Sequence, residues 1–277
     1  MTDETQDSPD SAAPAVAAGG AGAAGAGDAV GTAGSSGAAR AAVAGRFRGL
    51  LDDLDRTSGT AVADAAALIL DAVAAGGLVY AAGAGHSLAM VCETFYRAGG
   101  LACVRPVWEP EILPLNGATA STAAERRPGS GRAVVERVKP GPQDVVVVFS
   151  TSGRNPYPVE IAQECMERGV PVVAVTSKPA SASATARSST RLADHATVVL
   201  DTRVPPGDVV YPPDSPHTAA VSTVLGAYTW ALLLAELDEQ AGARGVDLPR
   251  WVSANVPGGD EANRRNFTRY GGRIPEL

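Results

Sequence analysis

Asp144-Val145-Val146-Val147-Val148-Phe149-Ser150-Thr151-Ser152-Gly153-Arg154-Asn155 is the stretch that decides the fold of this chain. Its first half is a short, unbroken apolar run rich in β-branched residues. Such a strand must be covered on both faces, which points to a parallel sheet between helical layers and not to a sheet with one wet side. Its second half turns polar at once, and Pro156 then opens a helix expected over residues 156–168. The unit is strand, loop, helix.

The same unit occurs earlier. Leu78-Val79-Tyr80-Ala81-Ala82 predicts a buried strand, Gly83-Ala84-Gly85-His86-Ser87 a loop, and residues 86–97 a helix stopped by Gly99-Gly100. Further strands are expected at 101–108, 170–176 and 197–200, and further helices at 133–138 and 216–240. Residues 109–131, with prolines and small side chains, predict an irregular excursion of the kind that is often functional. Upstream, Phe47, Leu50, Leu51 and Leu54 recur at helical spacing, and a second helix runs from Thr60 through Val73 to the Gly76-Gly77 stop. Strands alternating with helices define an α/β protein, a three-layer α/β/α sandwich of flavodoxin-like type with a parallel sheet of about five strands. The expected organisation is a disordered Ala/Gly-rich tail over 1–40, one ligand-binding domain over 41–250 that includes the N-terminal helices, and a C-terminal extension over 251–277 able to reach a neighbouring subunit.

Composition narrows the function. In 277 residues with 45 % hydrophobic content there is material for one sizeable core, but the first forty residues carry almost no large apolar side chain to offset the entropy of ordering. They lack a basic start and a Leu-rich run, so they do not read as a secretory signal, and the apolar run over 226–237 is far short of the about 20 residues a bilayer requires. A cytoplasmic protein without membrane contact is the expectation. Net charge is −7 and the only lysines are Lys139 and Lys178; the modest cluster of Arg264, Arg265 and Arg269 is no basic face, so nucleic acid is not an expected partner. Cys92, Cys103 and Cys165 show no Cys-x-x-Cys pairing and suit core packing. No His/Asp/Glu cluster has ligand spacing, so no metal and no cofactor is expected.

Both polar loops lie after a strand and before a helix, where open α/β sheets bind ligands. A helix start there offers unpaired N–H groups and a positive dipole end to an anion. The first loop resembles a dinucleotide fingerprint, but Leu88 stands where the third glycine is needed, and no Gly-x-x-x-x-Gly-Lys-Ser/Thr occurs anywhere. The second loop offers the hydroxyls of Ser150, Thr151 and Ser152, a tight turn at Gly153 and an amide at Asn155, which together hold a phosphate without lysine. The pair is expected to form a phosphate cradle and not a nucleotide site.

Gly-Ala-Gly-His-Ser after one strand and Phe-Ser-Thr-Ser-Gly-Arg-Asn after another resemble the SIS (sugar isomerase) domain, over about residues 76–236. The run Glu93-Thr94-Phe95-Tyr96-Arg97-Ala98-Gly99-Gly100-Leu101 and the tail Ser253-Ala254-Asn255-Val256-Pro257-Gly258-Gly259-Asp260 look like a bacterial SIS subgroup labelled phosphoheptose isomerase-like. The resemblance implies a small-molecule sugar phosphate as ligand. It matches Ser87, Ser150, Ser152 and Asn155 to phosphate-binding positions, Asn155 replacing the more usual Ser or Thr, with Thr151 donating its N–H. It also implies a homodimer or homotetramer, for which the helices around 47–54 and 224–237 are candidate interfaces.

Aldose–ketose isomerases and lyases of this family both begin by removing the C2 proton of a ring-opened sugar, which requires a base and a proton donor. The candidate carboxylates are Glu93, six residues after Ser87, and Glu125 in the excursion, with Glu109 and Glu111 competing for Glu125's part. In phosphoheptose isomerase and in N-acetylmuramic acid 6-phosphate etherase, which this chain also resembles, the catalytic glutamate falls one turn later, where Arg97 stands here. Gly85, His86 and Arg97 are expected beside the sugar. His217, expected to open the long C-terminal helix, is the candidate proton shuttle, and His195 reads as a surface turn. The expected activity is dehydration or lysis of a hexosamine 6-phosphate, N-acetylglucosamine 6-phosphate first among them, by C2 proton abstraction and C3 elimination. The alternatives are a phosphoheptose-type isomerase and a non-catalytic phosphosugar sensor.

Overall fold

The computed structural model describes residues 33–277. The tail expected over 1–40 lies outside the described residues as far as residue 32. From there the chain is helical, α1 spanning Ala33–Thr57. A helix nucleated by the apolar stripe at Phe47, Leu50 and Leu54 extends upstream at less cost than it starts, which moves its beginning ahead of the compositional boundary. α2 follows at Gly59–Ala74, then β1 at Val79–Gly83, a 3-10 turn at Gly85–Ser87 and α3 at Leu88–Thr94. β2 covers Val104–Val107. α4 (Ala118–Arg126) and α5 (Ser130–Val138) lead to β3 (Val145–Phe149) and α6 (Pro156–Glu167). β4 (Val172–Thr176), α7 (Lys178–Ser183) and β5 (Val198–Asp201) complete the main sheet. The hairpin of β6 (Val209–Tyr211) and β7 (Thr218–Ala220), α8 (Ser222–Arg244) and α9 (Gly259–Tyr270) close the chain.

The five parallel strands lie in the order β2-β1-β3-β4-β5. Every residue of β1, β3 and β4 is buried, as apolar strands between two helical layers require. α2 packs on α8 in one layer and α5 on α6 in the other, giving the expected three-layer α/β/α sandwich. Within the register Gly83 stands opposite Phe149, and Phe149 lies level with Val175. The loops after β1, β3 and β4 therefore leave the sheet side by side.

Four boundaries differ from expectation for identifiable reasons. The helix expected over 86–97 ends at Thr94, because Phe95 turns extended and Tyr96 takes φ +45°, which leaves Arg97 beyond it. The excursion at 109–131 contains two 3-10 turns and α4, whose small residues bury only Ser121 and Ala124 and so leave no apolar stripe to detect. The helix expected from 216 starts at Ser222, since residues 218–220 pair with β6 instead. The strand expected over 101–108 is shorter, Leu101 making an isolated antiparallel bridge to Arg250.

Residues 251–277 pack on their own chain. Trp251 meets Tyr96 edge-on at 4.9 Å between ring centroids and Phe267 at 5.1 Å, Ile274 is buried, and Arg273 donates to the Gly76 carbonyl at 2.8 Å. No single helix among the described residues is long and apolar enough to cross a membrane, although α1 and α2, bent by 68° at their junction, carry the length and composition jointly.

Candidate functional site

The strand order locates the site. From β1 the chain goes to one side to add β2, then returns to the other to add β3, so the topological switch point falls between β1 and β3. Open α/β sheets bind ligands in the crevice at that point, outside the carboxyl ends of the strands. Both cradle loops are the loops that flank it.

The first loop turns sharply back. Ala84 is extended, Gly85 takes φ +56° and Ser87 donates its N–H to the Ala84 carbonyl. Gly83 makes this possible, because a Cβ there would stand 2.9 Å from the Ser87 carbonyl oxygen. The second loop is pinned to the turn after β4. Ser150 N–H donates to the Val175 carbonyl, the Thr151 carbonyl accepts from Ser177 N–H at 3.0 Å and from Thr176 Oγ1 at 3.2 Å, and the Gly153 carbonyl accepts from Leu192 N–H. Gly153 sits at φ +55°, with Thr176 Oγ1 and Leu192 Cβ at 3.1 and 3.2 Å from where a Cβ would be. Its N–H donates to Ser150 Oγ. The loop is therefore shaped before any ligand arrives.

Between these loops opens a cleft of about 480 Å³ lined by Ser87, Glu125, Ser150, Thr151, Ser152 and Arg154 among others. A narrower recess adjoins it, sharing Ser87, Ser150, Thr151 and Asp208, with His86 on its wall. The structure thus brings together Ser87, Ser150, Thr151, Ser152, Gly85, His86 and Glu125. Asn155 lines the same cleft and carries side-chain bonds that the sequence reading did not give it. Asn155 is the residue before α6, but its amide makes no capping bond. Nδ2 donates to Glu125 Oε1 at 2.9 Å and Oδ1 accepts from Arg187 Nη1 at 2.9 Å. Both ends are engaged, so the amide bridges side chains, and it lines the cleft with one Nδ2 hydrogen beyond the Glu125 bond.

Of the two acids that line the cleft, Glu125 and Asp208, Glu125 lies between the two loops. It is half-buried, and burial raises its carboxyl above the usual carboxylate range, with Arg126, Arg187 and Arg154 pulling the other way. One oxygen takes the Asn155 bond; the other, Oε2, lies 3.5 Å from the position of a Cβ on Gly85. The carboxyl consequently spans the space between the two loops.

Five sequence candidates, Glu93, Arg97, His217, Glu109 and Glu111, lie elsewhere. Glu93 stays on α3, as expected, but forms an ion pair with Arg97 and lines neither cavity, so within one chain this pair stands apart from Glu125. His217 is exposed in the turn of the β6–β7 hairpin with Nδ1 at 3.0 Å from the Ser215 carbonyl, because the helix it was expected to open begins five residues later. The competitors Glu109 and Glu111 pair with Arg137 and Arg127 and line a separate cavity. Among the described residues no group of three or more His, Cys, Asp or Glu side chains is placed to hold a metal.

The structure adds residues that the sequence did not mark. Asp208, at φ +66°, lines both cavities and caps α8: Oδ1 accepts from Ser222 N–H at 2.7 Å and Val221 N–H at 3.2 Å, and Oδ2 accepts from Ser222 Oγ at 2.7 Å. It lies too far ahead of the helix for any local capping signal. Arg187 sits in a run of small polar residues without periodicity.

A cleft at the switch point of a covered parallel sheet, lined with hydroxyls and with the half-buried acids Glu125 and Asp208, suits a small polar ligand. The SIS domain model matches residues 28–177. The UPF0309 protein of Brucella anthropi is 40 % identical over 218 residues, 78 % of this chain and 89 % of that protein. UPF0309 protein GK1441 of Geobacillus kaustophilus is 35 % identical over 217 residues, 77 % and 86 % of the two chains. Among solved structures, phosphoheptose isomerase GmhA of Neisseria gonorrhoeae aligns with a TM-score of 0.47 at 19 % identity, covering 76 % of this chain and 100 % of that one. The chain belongs to the SIS domain family.

Proposed function

We propose that the cleft binds a hexosamine 6-phosphate, N-acetylglucosamine 6-phosphate being the first compound to test, and dehydrates it. The observation that carries this reading is Glu125, a half-buried carboxyl of raised proton affinity held between the two loops. With the phosphate on the hydroxyls of Ser87 and residues 150–152, the open-chain sugar extends toward Glu125. Its carboxylate takes the proton from C2, and the electron pair of that C–H bond passes into an enolate with the C1 carbonyl. The pair returns to form the C2=C3 double bond as the C3–O bond breaks. Glu125 delivers its proton to the departing oxygen, which leaves as water, and the carboxylate is restored. A group that first accepts and then donates a proton works best with a pKa moved toward neutrality, the direction in which burial moves Glu125. His86, on the recess wall, is within the same site to orient a sugar hydroxyl.

The ion pair of Glu93 with Arg97 favours a second reading. With Glu93 outside the cleft, transfer of the C2 proton to C1 by Glu125 acting as a single base would make the chain an aldose–ketose isomerase. Incubation with N-acetylglucosamine 6-phosphate, followed by mass spectrometry, separates the two. Loss of one water with growth of the ultraviolet absorption of a conjugated aldehyde is expected. An unchanged mass with a new ketose would replace dehydration by isomerisation, and an unchanged compound would remove both for this sugar.

A further inference from the structure

We propose that Arg187 is a positioning residue that, through Asn155, decides which oxygen of Glu125 carries the proton. The inference deepens the reading of Glu125 as the proton-transferring group and rests on it. Arg187 Nη1 donates to Asn155 Oδ1 at 2.9 Å, and Asn155 Nδ2 donates to Glu125 Oε1 at 2.9 Å. A guanidinium has only donors, so it can face only the carbonyl end of the amide. The amide's NH2 end is then turned to Glu125, and Oε1 must accept. When Glu125 is protonated the proton is left to Oε2, the oxygen on the Gly85 side, which faces the other loop. Without Arg187 the amide is free to turn over and present its carbonyl, which would draw the proton onto Oε1, away from that loop.

Arg187 is itself held. The segment after α7 is fastened to the second loop by Arg154 Nη1 donating to the Thr185 carbonyl at 3.1 Å and Ser188 Oγ donating to the Arg154 carbonyl at 3.3 Å. Arg191 Nη2 closes the segment on itself through the Ala184 carbonyl at 2.6 Å. The charged groups around Glu125 are Arg126 on its own helix, Arg154 on the loop after β3 and Arg187 on the segment after α7; Asp208 lines the same cleft, and with His86 it also lines the adjoining recess. Arg187 is exposed, so its replacement leaves the core intact.

Two variants test the assignment in the full chain, Arg187→Ala, which removes the donor, and Arg187→Lys, which keeps donor and charge. Carbon-13 NMR titration of the Glu125 side-chain carboxyl, assigned by comparison with Glu125→Gln, needs no turnover. The carboxyl is expected to titrate at higher pH in Arg187→Ala and near the wild-type pH in Arg187→Lys. With N-acetylglucosamine 6-phosphate, Arg187→Ala is expected to lower kcat by about tenfold or more, part of the roughly 10²–10⁴ that general acid–base catalysis supplies. KM should stay nearly unchanged, and the limb of the pH profile belonging to Glu125 should move with the NMR titration. An unmoved Glu125 titration in Arg187→Ala overturns the inference, as does a loss in KM alone. A titration that moves equally far when Arg187→Ala is made in an Asn155→Ala background would reflect the lost charge alone and overturns the relay. One that moves only with Asn155 present, without turnover of any sugar phosphate, would sink the catalytic reading and leave the relay standing.

Discussion

Glu125 is costly where it stands. Above the ordinary pKa of an unfolded glutamate, the folded chain still holds the proton until the higher folded pKa is reached, so folding takes up a proton in that window. Stability contributed by the neutral acid is present at low pH and falls as pH rises through the folded pKa. Glu125→Gln is therefore expected to melt above the wild type at neutral pH and to differ from it less at pH 4. The same variant should bind N-acetylglucosamine 6-phosphate while losing turnover by roughly 10²- to 10⁴-fold. Paired thermal melts and single-turnover assays check both halves, and a variant that melts lower at neutral pH and turns over normally would contradict them. At this scale the sequence was informative where a residue works through its own backbone. Ser87, Ser150 and Ser152 stand in loops whose glycines, Gly85 and Gly153, take the positive φ that the turn demands. It was uninformative where a role depends on a distant partner. Asn155 reads as a helix cap, yet its partners are 30 and 32 residues away.

Among the elements, β1, β3 and β4 are legible because a short, unbroken apolar run has few other uses. α4 is not, since its residues bury too little to show a period, and this is the element that carries Glu125 into the cleft. The hairpin of β6 and β7 was also missed. Its three-residue strands are too short for alternation to register, so the pattern predicts a helix at His217 that in the structure starts at Ser222. Asp208 ties this hairpin to α8 through three hydrogen bonds at the helix start. Asp208→Ala leaves those groups unpaired and is expected to cost about 1–2 kcal/mol of stability, with the loss confirmed by urea denaturation. Asp208→Asn should recover most of it, because the amide oxygen still accepts. Equal stability of Asp208→Ala and the wild type would show that the bonds to α8 are not formed in solution.

Over the whole molecule, the decisive feature is the order of strands, which local pattern does not encode. Alternation of strand and helix announced the layers, but only the order β2-β1-β3-β4-β5 puts the two polar loops on either side of the switch point. The register that sets Gly83 opposite Phe149 brings them level. Two loops separated by more than sixty residues in the chain then share one cleft, and α4, from the segment between them, supplies Glu125. The central claim is that a sugar phosphate lies in this cleft with its phosphate on the loop hydroxyls and its C2 toward Glu125. A crystal structure of the Glu125→Gln variant soaked with N-acetylglucosamine 6-phosphate tests it most directly. The account predicts the phosphate against Ser87 and residues 150–152, with C2 facing the side chain at position 125. A sugar bound outside this cleft, or one seated with its phosphate on Arg154 and Arg187 and its C2 turned away, would contradict it.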